Sequence, residues 1–144
     1  MAIIVYNRMV EDHSSNENNY PIYRGGSILG NPYTEKPVNK TLAIYHVRSR
    51  EEAIERYGSY FDLMYSTNDE FKAVVDEIYD KYKNGEDIYL ECYCKPLPCH
   101  GDIIAQKLQR RLLSEKIKEI KKKKNEMGQV LSSTRNRGDK TENT

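Results

Sequence analysis

Three cysteines and a histidine lie close together in the segment Leu90–Asp102, which reads LECYCKPLPCHGD. Cys92 and Cys94 are two residues apart at the end of a predicted strand, so their side chains point to the same face. Cys99 and His100 lie where the next helix is predicted to begin, and a helix N-terminus favours anions and lowers the pKa of a cysteine. These residue types suit a nucleophile, a set of metal ligands or an anion site.

Three interpretations of this segment stay open. A zinc site would use Cys92, Cys94, Cys99 and His100. Their spacing departs from the roughly two to four intervening residues usual between paired zinc ligands, so no cofactor is predicted and zinc is kept as an alternative. In an enzyme, Glu91, Cys99 or His100 would act as acid, base or nucleophile. In the third interpretation the cysteines are core and turn residues, while His100 and Asp102 cap the helix.

A second segment, Tyr23–Tyr33, is rich in glycine and reads YRGGSILGNPY. Its glycines allow positive φ angles and a close approach of the backbone to a ligand, and Arg24 supplies a cation with bidentate geometry. Ser27 and Asn31 add neutral hydrogen-bonding groups. An ordinary turn-rich connection is the alternative, because Asn31 before Pro32 is also a simple turn signal. The segment lacks both the GK[ST] and the GxGxxG patterns, which disfavours a nucleotide triphosphatase or a nicotinamide enzyme.

Strands alternate with helices along the chain. Apolar runs predict strands at residues 3–6, 20–23, 42–47 and 88–93. Capping boxes at Ser49–Glu52 and Thr67–Glu70 predict two helix starts, Asn84 and Gly85 end the second helix, and a third helix begins at Cys99 or His100. This order predicts an α/β protein: a small Rossmann-like, three-layer fold with a short, mainly parallel sheet and a long C-terminal helix.

Ligands of open parallel sheets gather beyond the carboxyl ends of the strands, so we expect the two segments to share one pocket there. Arg24 would pair with an anionic group, and the N–H groups at Cys99, His100 and Gly101 would cradle a phosphate. The predicted ligand-binding residues are Tyr23, Arg24, Gly25, Gly26, Ser27, Gly30, Asn31, Cys94, Lys95, Cys99, His100, Gly101 and Asp102.

The charge of the 144-residue chain is unevenly distributed. From residue 107 onward there are 12 Lys and Arg against 5 Asp and Glu, so the net charge of +1 combines an acidic body with a basic tail. We expect one α/β domain at residues 1–113, a basic helical extension at 114–125 and a disordered tail at 126–144. Lys121–Lys124 would contact nucleic acid or a host protein, or form a solvated helix end. A homo-oligomer through this helix also stays open.

The composition indicates a cytoplasmic protein, in the host cytoplasm if a phage encodes it. No stretch reaches the roughly 18 apolar residues of a membrane span, and the N-terminus does not resemble a secretory signal, so no membrane partner is expected. The three cysteines lie within nine residues, which suits free thiols in a reducing compartment better than a disulfide framework.

At these two motifs the chain resembles a family from bacteria and their phages, catalogued as domain of unknown function 4326. The matching residues are Ile22–Tyr33, then Glu52, Ala53, Ile54 and Tyr57, and finally Leu90–Asp102. The chain departs from the family's usual pattern at Tyr93, where Trp is common, and at Ile28, where Pro is common. The resemblance covers about residues 3 to 108 and implies an α/β fold and a phage origin.

The leading hypothesis is a small-ligand binding protein whose ligand is an anionic nucleotide or a nucleotide-derived molecule. In a phage setting, such a protein would sequester a nucleotide signal of the host. The first alternative is an enzyme, a hydrolase or glycosidase, that acts on such a ligand. The second is a nucleic-acid or host-protein binder that uses the Lys-rich C-terminal helix.

Overall fold

The computed structural model describes residues 2–36 and 43–135, with side chains described up to residue 126. The chain divides into two compact units, residues 1–108 and 109–144. The described strands are β1 (Ile3–Asn7), β2 (Asn19–Pro21), β3 (Tyr33–Thr34), β4 (Tyr45–His46) and β5 (Ile88–Cys92). The described helices are α1 (Arg50–Thr67), α2 (Asp69–Lys83) and α3 (His100–Arg135).

A three-stranded parallel sheet in the order β1-β5-β2 forms the centre of the first unit. The central strand β5 is nearly continuously buried, as its apolar sequence predicts. Val5 pairs with Leu90, and Leu90 pairs with Tyr20, so these three side chains share one face. Tyr6, Glu91 and Pro21 form the next row and point to the opposite face.

The two faces of this sheet are covered differently. On the face of Val5 and Tyr20, a Cβ added to Gly101 of α3 would lie 2.7 Å from Val5 Cγ1, and the Tyr20 hydroxyl donates to Glu77 of α2 at 2.6 Å. On the other face, His13 stacks on Tyr89 with ring centroids 4.3 Å apart. His13 belongs to the loop that crosses from β1 at one edge to β2 at the other.

The α/β class, the short parallel sheet and the long C-terminal helix are confirmed. The Rossmann-like label fits only loosely, since the sheet has three described strands and a loop, not a helix, carries His13 across one face. The strand at 88–93 and the short strands at 3–6 and 20–23 are found within a few residues of their predicted bounds.

The predicted buried strand at 42–47 is wrong over its described part. β4 covers only Tyr45–His46, both residues are exposed, and the strand pairs with β3 in a separate two-stranded sheet. Tyr45 contacts the ring of Tyr33, with centroids 5.2 Å apart, so its β-favouring side chain packs on a small surface sheet. Residues 37–42, including Leu42 of the predicted strand, lie outside the described residues.

Capping explains where α1 and α2 begin. Ser49 accepts the Glu52 N–H at 3.1 Å, as the first capping box predicts. The second cap is Asn68 and not Thr67, because Asn68 Oδ1 accepts the Phe71 N–H at 2.9 Å. Thr67 instead ends α1, where its hydroxyl donates to the Leu63 carbonyl at 2.7 Å. One residue thus separates the two helices.

Helix α3 begins in the first unit, and its residues 109–135 are the described part of the second unit. It includes residues 126–135, the first part of the segment for which a disordered tail is predicted, and residues 136–144 lie outside the described residues. Lys121–Lys124 are exposed on it. Within the described chain, no helix combines the length and the apolar character needed to cross a membrane.

Substitution of Gly85 or Gly58 by alanine should change the free energy of unfolding in opposite directions, because the two glycines differ in backbone conformation. Gly85 ends α2 with φ +92° and nothing within 4 Å of an added Cβ, so Gly85→Ala introduces backbone strain and no clash. We expect it to lower the free energy of unfolding by about 1 kcal/mol, measured by urea denaturation.

Gly58→Ala is the matched control. Gly58 lies inside α1, and its added Cβ would meet Ile103 at an ordinary 3.8 Å. The free energy of unfolding should therefore rise by about 0.5–1 kcal/mol, since alanine favours a helix interior over glycine. If both substitutions changed the free energy of unfolding in the same direction, the assigned backbone conformations would be wrong.

Candidate functional site

One cavity of about 440 Å³ brings residues of both sequence motifs together. The glycine-rich loop contributes Tyr23, Arg24 and Asn31, and the segment after β5 contributes Tyr93 and Cys94. The remaining lining residues are Thr34, Glu35, Lys36, Arg50, Ala53, Ile54, Cys92, Cys99 and His100. The cavity therefore lies beyond the carboxyl end of β5, where the α/β topology predicts a ligand site.

Arg24 holds the glycine-rich loop together from inside. Its Nε donates to the Asn31 carbonyl at 2.6 Å and one terminal nitrogen donates to the Tyr33 carbonyl at 2.7 Å. Burial lowers the pKa of this guanidinium. Two of its nitrogens are thus committed to the loop, and Arg24 combines a positioning role with a place in the cavity wall.

The Asn31 side chain is also occupied by the protein itself. It is buried, its amide nitrogen donates to the Ala53 carbonyl of α1 at 3.1 Å, and its oxygen accepts the Tyr33 N–H at 3.0 Å. Asn31 also lines the cavity, and its role in orienting a ligand stays a prediction. Asn31 fastens the loop to the first turns of α1.

The glycines of this loop serve close packing. A Cβ at Gly26 would lie 2.7 Å from the Tyr23 ring, and one at Gly30 would lie 3.0 Å from the Arg24 Cα. Gly25 adopts φ +81°, which favours glycine. Ser27 Oγ donates to the Pro21 carbonyl at 2.5 Å. These four predicted contact residues lie outside the cavity lining and shape the loop that carries Tyr23 and Arg24.

His100 connects the two motifs. Its Nε2 lies 2.7 Å from the Ile22 carbonyl, and its ring packs on Tyr57 with centroids 4.7 Å apart. Burial lowers the pKa of His100 to about 4, so the ring is neutral at pH 7 and donates its Nε2 proton to the carbonyl. Nε2 carries the proton that ties the loop to α3, so this nitrogen is not free to act as a base.

The three thiols meet at the cavity wall. Cys92 and Cys99 are buried with their sulfurs 3.9 Å apart, while Cys94 is half-buried. Hydrogen bonds from the Cys92 and Cys99 thiols, together with the Arg50 guanidinium, hold the pKa of the Cys94 thiol well below its usual range. The contacts with its two neighbours and burial raise the pKa of Cys99. The thiolate of the cluster is therefore Cys94 and not Cys99, the predicted nucleophile.

The start of α3 is not an open phosphate cradle. The Cys99 N–H donates to the Asp102 carboxylate at 3.1 Å, and the Gly101 N–H bonds the Cys99 sulfur. Lys95 Nζ pairs with the same carboxylate at 2.6 Å. Asp102 occupies the positive end of the helix, so a phosphate at the predicted cradle of Cys99, His100 and Gly101 would have to displace this carboxylate. Lys95, Gly101 and Asp102 lie outside the cavity lining.

Glu91 lies away from this cavity. It points to the opposite face of the sheet, where its carboxylate accepts the Asn19 amide at 2.9 Å and the Tyr6 hydroxyl at 3.3 Å, with Arg8 at 3.8 Å. The Tyr6 hydroxyl itself is buried, and burial is the main reason that its pKa rises to about 12. The geometry therefore separates Glu91 from Cys99 and His100, the other two candidate catalytic residues.

Arg50 is the important residue that the sequence analysis missed. It is the first residue of α1, it lines the cavity, and it donates to the Pro98 carbonyl at 3.2 Å. The pattern Ser49–Glu52 predicts only a helix start at this position. A signal was present, because the family resemblance includes Ala53 and Ile54, and both of these residues line the cavity beside it.

The side chains proposed for zinc are arranged in another way. Cys92, Cys94 and Cys99 hydrogen-bond one another, whereas His100 directs Nε2 to the Ile22 carbonyl. Among the residues that the structure describes, no group of three or more His, Cys, Asp or Glu side chains is placed to hold a metal ion.

The fold and the cavity define a small α/β domain with a thiol-lined pocket at the carboxyl end of its central parallel strand. The chain belongs to the family described as Domain of unknown function (DUF4326), whose model matches residues 6–110. This match includes every residue that lines the cavity. No curated protein and no solved structure matches the chain.

The buried neutral state of His100 predicts a pH dependence of stability. The pKa of His100 is about 4 in the folded chain, below its ordinary value of about 6.5. As the pH falls from about 6.5 to 4, the unfolded chain therefore binds a proton at His100 that the folded chain does not bind, and the folded state is destabilised. His100→Gln keeps an N–H donor and removes this titration. We expect the stability advantage of the parent over the variant to shrink by at most about 1.4 kcal/mol per pH unit in that window.

Urea denaturation at a series of pH values measures this change. His46→Gln is the control, since His46 is exposed and its Nε2 lies 3.1 Å from the Glu35 carbonyl. That variant should follow the parent at every pH. If the free energy of unfolding varied with pH in the same way for the parent and for His100→Gln, the His100 ring would not be held neutral in the folded protein.

Proposed function

We propose that this protein binds a small molecule that carries a planar ring and an anionic group, such as a nucleotide or a nucleotide-derived molecule. One observation carries the proposal: two arginines and two tyrosines, drawn from three separate segments, line a single cavity. Its volume of about 440 Å³ lies within the roughly 300–1,000 Å³ usual for small-molecule sites.

Arg24, Lys36 and Arg50 support recognition of an anion. All three line the cavity, against Glu35 and the Cys94 thiolate as the acidic groups of the lining. The Arg50 side chain is anchored at the Pro98 carbonyl, so it is held beside the cavity before any ligand arrives. A charge-assisted hydrogen bond from such a pre-positioned guanidinium contributes about 1.5–3 kcal/mol.

Tyr23 and Tyr93 support recognition of a planar ring. Their ring centroids lie 4.9 Å apart in an edge-to-face arrangement, and 49% of Tyr93 is exposed. The exposed surface of Tyr93 offers a stacking platform, and Ala53 and Ile54 add apolar surface to the same cavity. A ligand with an apolar flat part and a charged part would match both halves of this lining.

Binding without turnover is favoured over catalysis. Glu91 faces away from the cavity, and His100 Nε2 donates to the Ile22 carbonyl, so neither Glu91 nor this nitrogen of His100 is available to act on the ligand. A binding protein of phage origin would sequester a nucleotide signal of the host. Recovery of the ligand after incubation with the protein distinguishes binding from catalysis. A binding protein would return the ligand unchanged, whereas an enzyme would return a consistent new product.

The exposed lysines of α3 support a second candidate function, contact with nucleic acid or a host protein. Lys121, Lys122, Lys123 and Lys124 are all exposed on this helix. Such contact would weaken steeply with salt, and replacement of these four lysines by glutamine would abolish it. Gel shift of a short labelled duplex at two salt concentrations measures it, and the same substitutions should leave ligand binding in the first unit unchanged.

The main proposal predicts selective stabilisation by nucleoside monophosphates. The probes are the four ribonucleoside 5′-monophosphates, the corresponding nucleosides and inorganic phosphate, each measured by thermal denaturation and equilibrium dialysis. At least one monophosphate should raise Tm and bind more tightly than its nucleoside and than phosphate. Arg50→Gln should weaken this binding at least about tenfold, because one charge-assisted contact is lost.

Lys72→Gln is the matched control, since Lys72 pairs with Asp76 on α2 outside the cavity. It removes the same charge and should leave binding unchanged. Mass spectrometry of molecules and metals released from the purified protein extends the search beyond the chosen probes. The proposal is wrong if no probe binds and no small organic anion is released.

A further inference from the structure

We propose that Cys94 and Cys99 form a dithiol–disulfide couple that reduces a hydroperoxide, with Cys94 as the attacking sulfur and Cys99 as the resolving thiol. This inference does not depend on the proposed ligand. It rests on a feature that ligand binding leaves unexplained, namely three thiols gathered at one wall of a cavity beside an arginine.

The geometry gives the three sulfurs different positions. Cys94 is half-buried and faces the cavity, so a small solute can reach it, whereas Cys92 and Cys99 are only 1% and 2% exposed. Arg50 lines the same cavity and is fixed to the turn between Cys94 and Cys99 by its hydrogen bond to Pro98. A thiol that is both accessible and next to a fixed cation is the one expected to react.

The charge state of the cluster agrees with this assignment. The contacts with the Cys92 and Cys99 thiols and with Arg50 lower the pKa of Cys94, whereas the contacts of Cys99 with the other two thiols and its burial raise the pKa of Cys99, so Cys94 is the thiolate and Cys99 keeps its proton. Thiolate character and access are the two properties that govern oxidation of cysteine by peroxide. The proton on Cys99 is then available for the second step.

The reaction balances in two steps. The Cys94 thiolate attacks one oxygen of a hydroperoxide; the O–O bond breaks, the departing alkoxide or hydroxide takes a proton from water, and Cys94 becomes a sulfenic acid. The Cys99 sulfur then attacks the Cys94 sulfur, the S–O bond breaks, and the hydroxyl leaves with the Cys99 proton as water. The two thiols lose two electrons and the hydroperoxide gains them.

Cys99 is favoured over Cys92 as the resolving thiol. Cys92 is the last residue of β5 and only Tyr93 separates it from Cys94, so a disulfide between these two cysteines would close a small, strained ring. Cys99 precedes α3, and the chain between Cys94 and Cys99 turns back on itself, since the Leu97 N–H donates to the Cys94 carbonyl at 2.9 Å. This turn brings Cys99 back towards Cys94.

The test uses the full reduced chain, desalted without oxygen and mixed with increasing hydrogen peroxide up to a small excess. Free thiols are counted after denaturation, and we expect them to fall from three to one. Chymotryptic cleavage after Tyr93 separates Cys92 from the peptide that holds Cys94 and Cys99. The expected product is that second peptide, lighter by two hydrogens and not linked to Cys92.

Variants assign the two roles. The Cys94→Ser variant should keep its two remaining thiols at the same peroxide dose. In the Cys99→Ser variant, oxidation should stop at a sulfenic acid on Cys94, which a cyclic 1,3-dione traps. Arg50→Gln should slow the oxidation of Cys94 about tenfold or more, whereas Lys72→Gln should not change it. Circular dichroism checks folding, and if Cys99→Ser does not fold, the peptide map of the parent chain decides.

Three results would overturn the proposal. The first is three unreacted thiols at a small excess of peroxide. The second is a disulfide that includes Cys92, which would remove Cys99 from its role. The third is oxidation of Cys94 to sulfinic acid with Cys99 still free, which would show that the two sulfurs do not react with each other.

Discussion

The hydrogen bond from the buried His100 ring to the Ile22 carbonyl, 2.7 Å long, is the contact that makes one site out of two distant motifs. Ile22 immediately precedes the glycine-rich loop, and His100 begins α3 after the thiol turn. Both partners are buried, so a lost partner would leave a polar group without water. Tyr57 reinforces the junction, because its hydroxyl donates to the Leu29 carbonyl at 2.8 Å while its ring packs on His100.

Around this contact, most of the conspicuous polar residues are used to build the pocket wall. Arg24 and Asn31 fold the loop on itself and onto α1, and Asp102 caps α3. These contacts fix the loop before a ligand arrives, which lowers the entropy that binding must offset. The groups left to meet a ligand lie around them: Arg50, Lys36, Cys94 and the two tyrosine rings.

Local rules predicted the features that depend on local physics. The Ser49 cap, the end of α2 at Gly85 and strand β5 follow from hydrogen bonding, positive φ and apolar sequence, and the structure has all three. The meeting of the two motifs followed from sheet topology. Strand 42–47 failed because β-favouring residues fit a surface ladder as well as a core strand, and sequence does not distinguish between these two environments.

The roles within the site depend on contacts that sequence spacing does not reveal. Cys99 begins a helix, which suggested an activated thiol, yet burial and its neighbours raise its pKa. Cys94 becomes the thiolate through its contacts with the Cys92 and Cys99 thiols and through Arg50, which lies 44 positions earlier in the chain. Asn31 was predicted to contact a ligand because its amide offers both a hydrogen-bond donor and an acceptor. The fold shows that the donor bonds to α1 and that the acceptor bonds within the loop.

Arg50 links the two proposed activities through charge. As long as Cys94 is a thiolate, it competes with an anionic ligand for the same guanidinium. A disulfide between Cys94 and Cys99 would remove one negative charge from the lining and leave Arg24, Lys36 and Arg50 opposed by Glu35 alone among the described acidic side chains of the cavity. Oxidation would therefore make the pocket more attractive to an anion, and a bound anion at Arg50 would in turn disfavour the thiolate and slow its attack on peroxide. Because binding equilibria are reciprocal, an anion that the oxidised form binds more tightly also shifts the dithiol–disulfide equilibrium towards the disulfide, even though it slows the attack of the thiolate on peroxide.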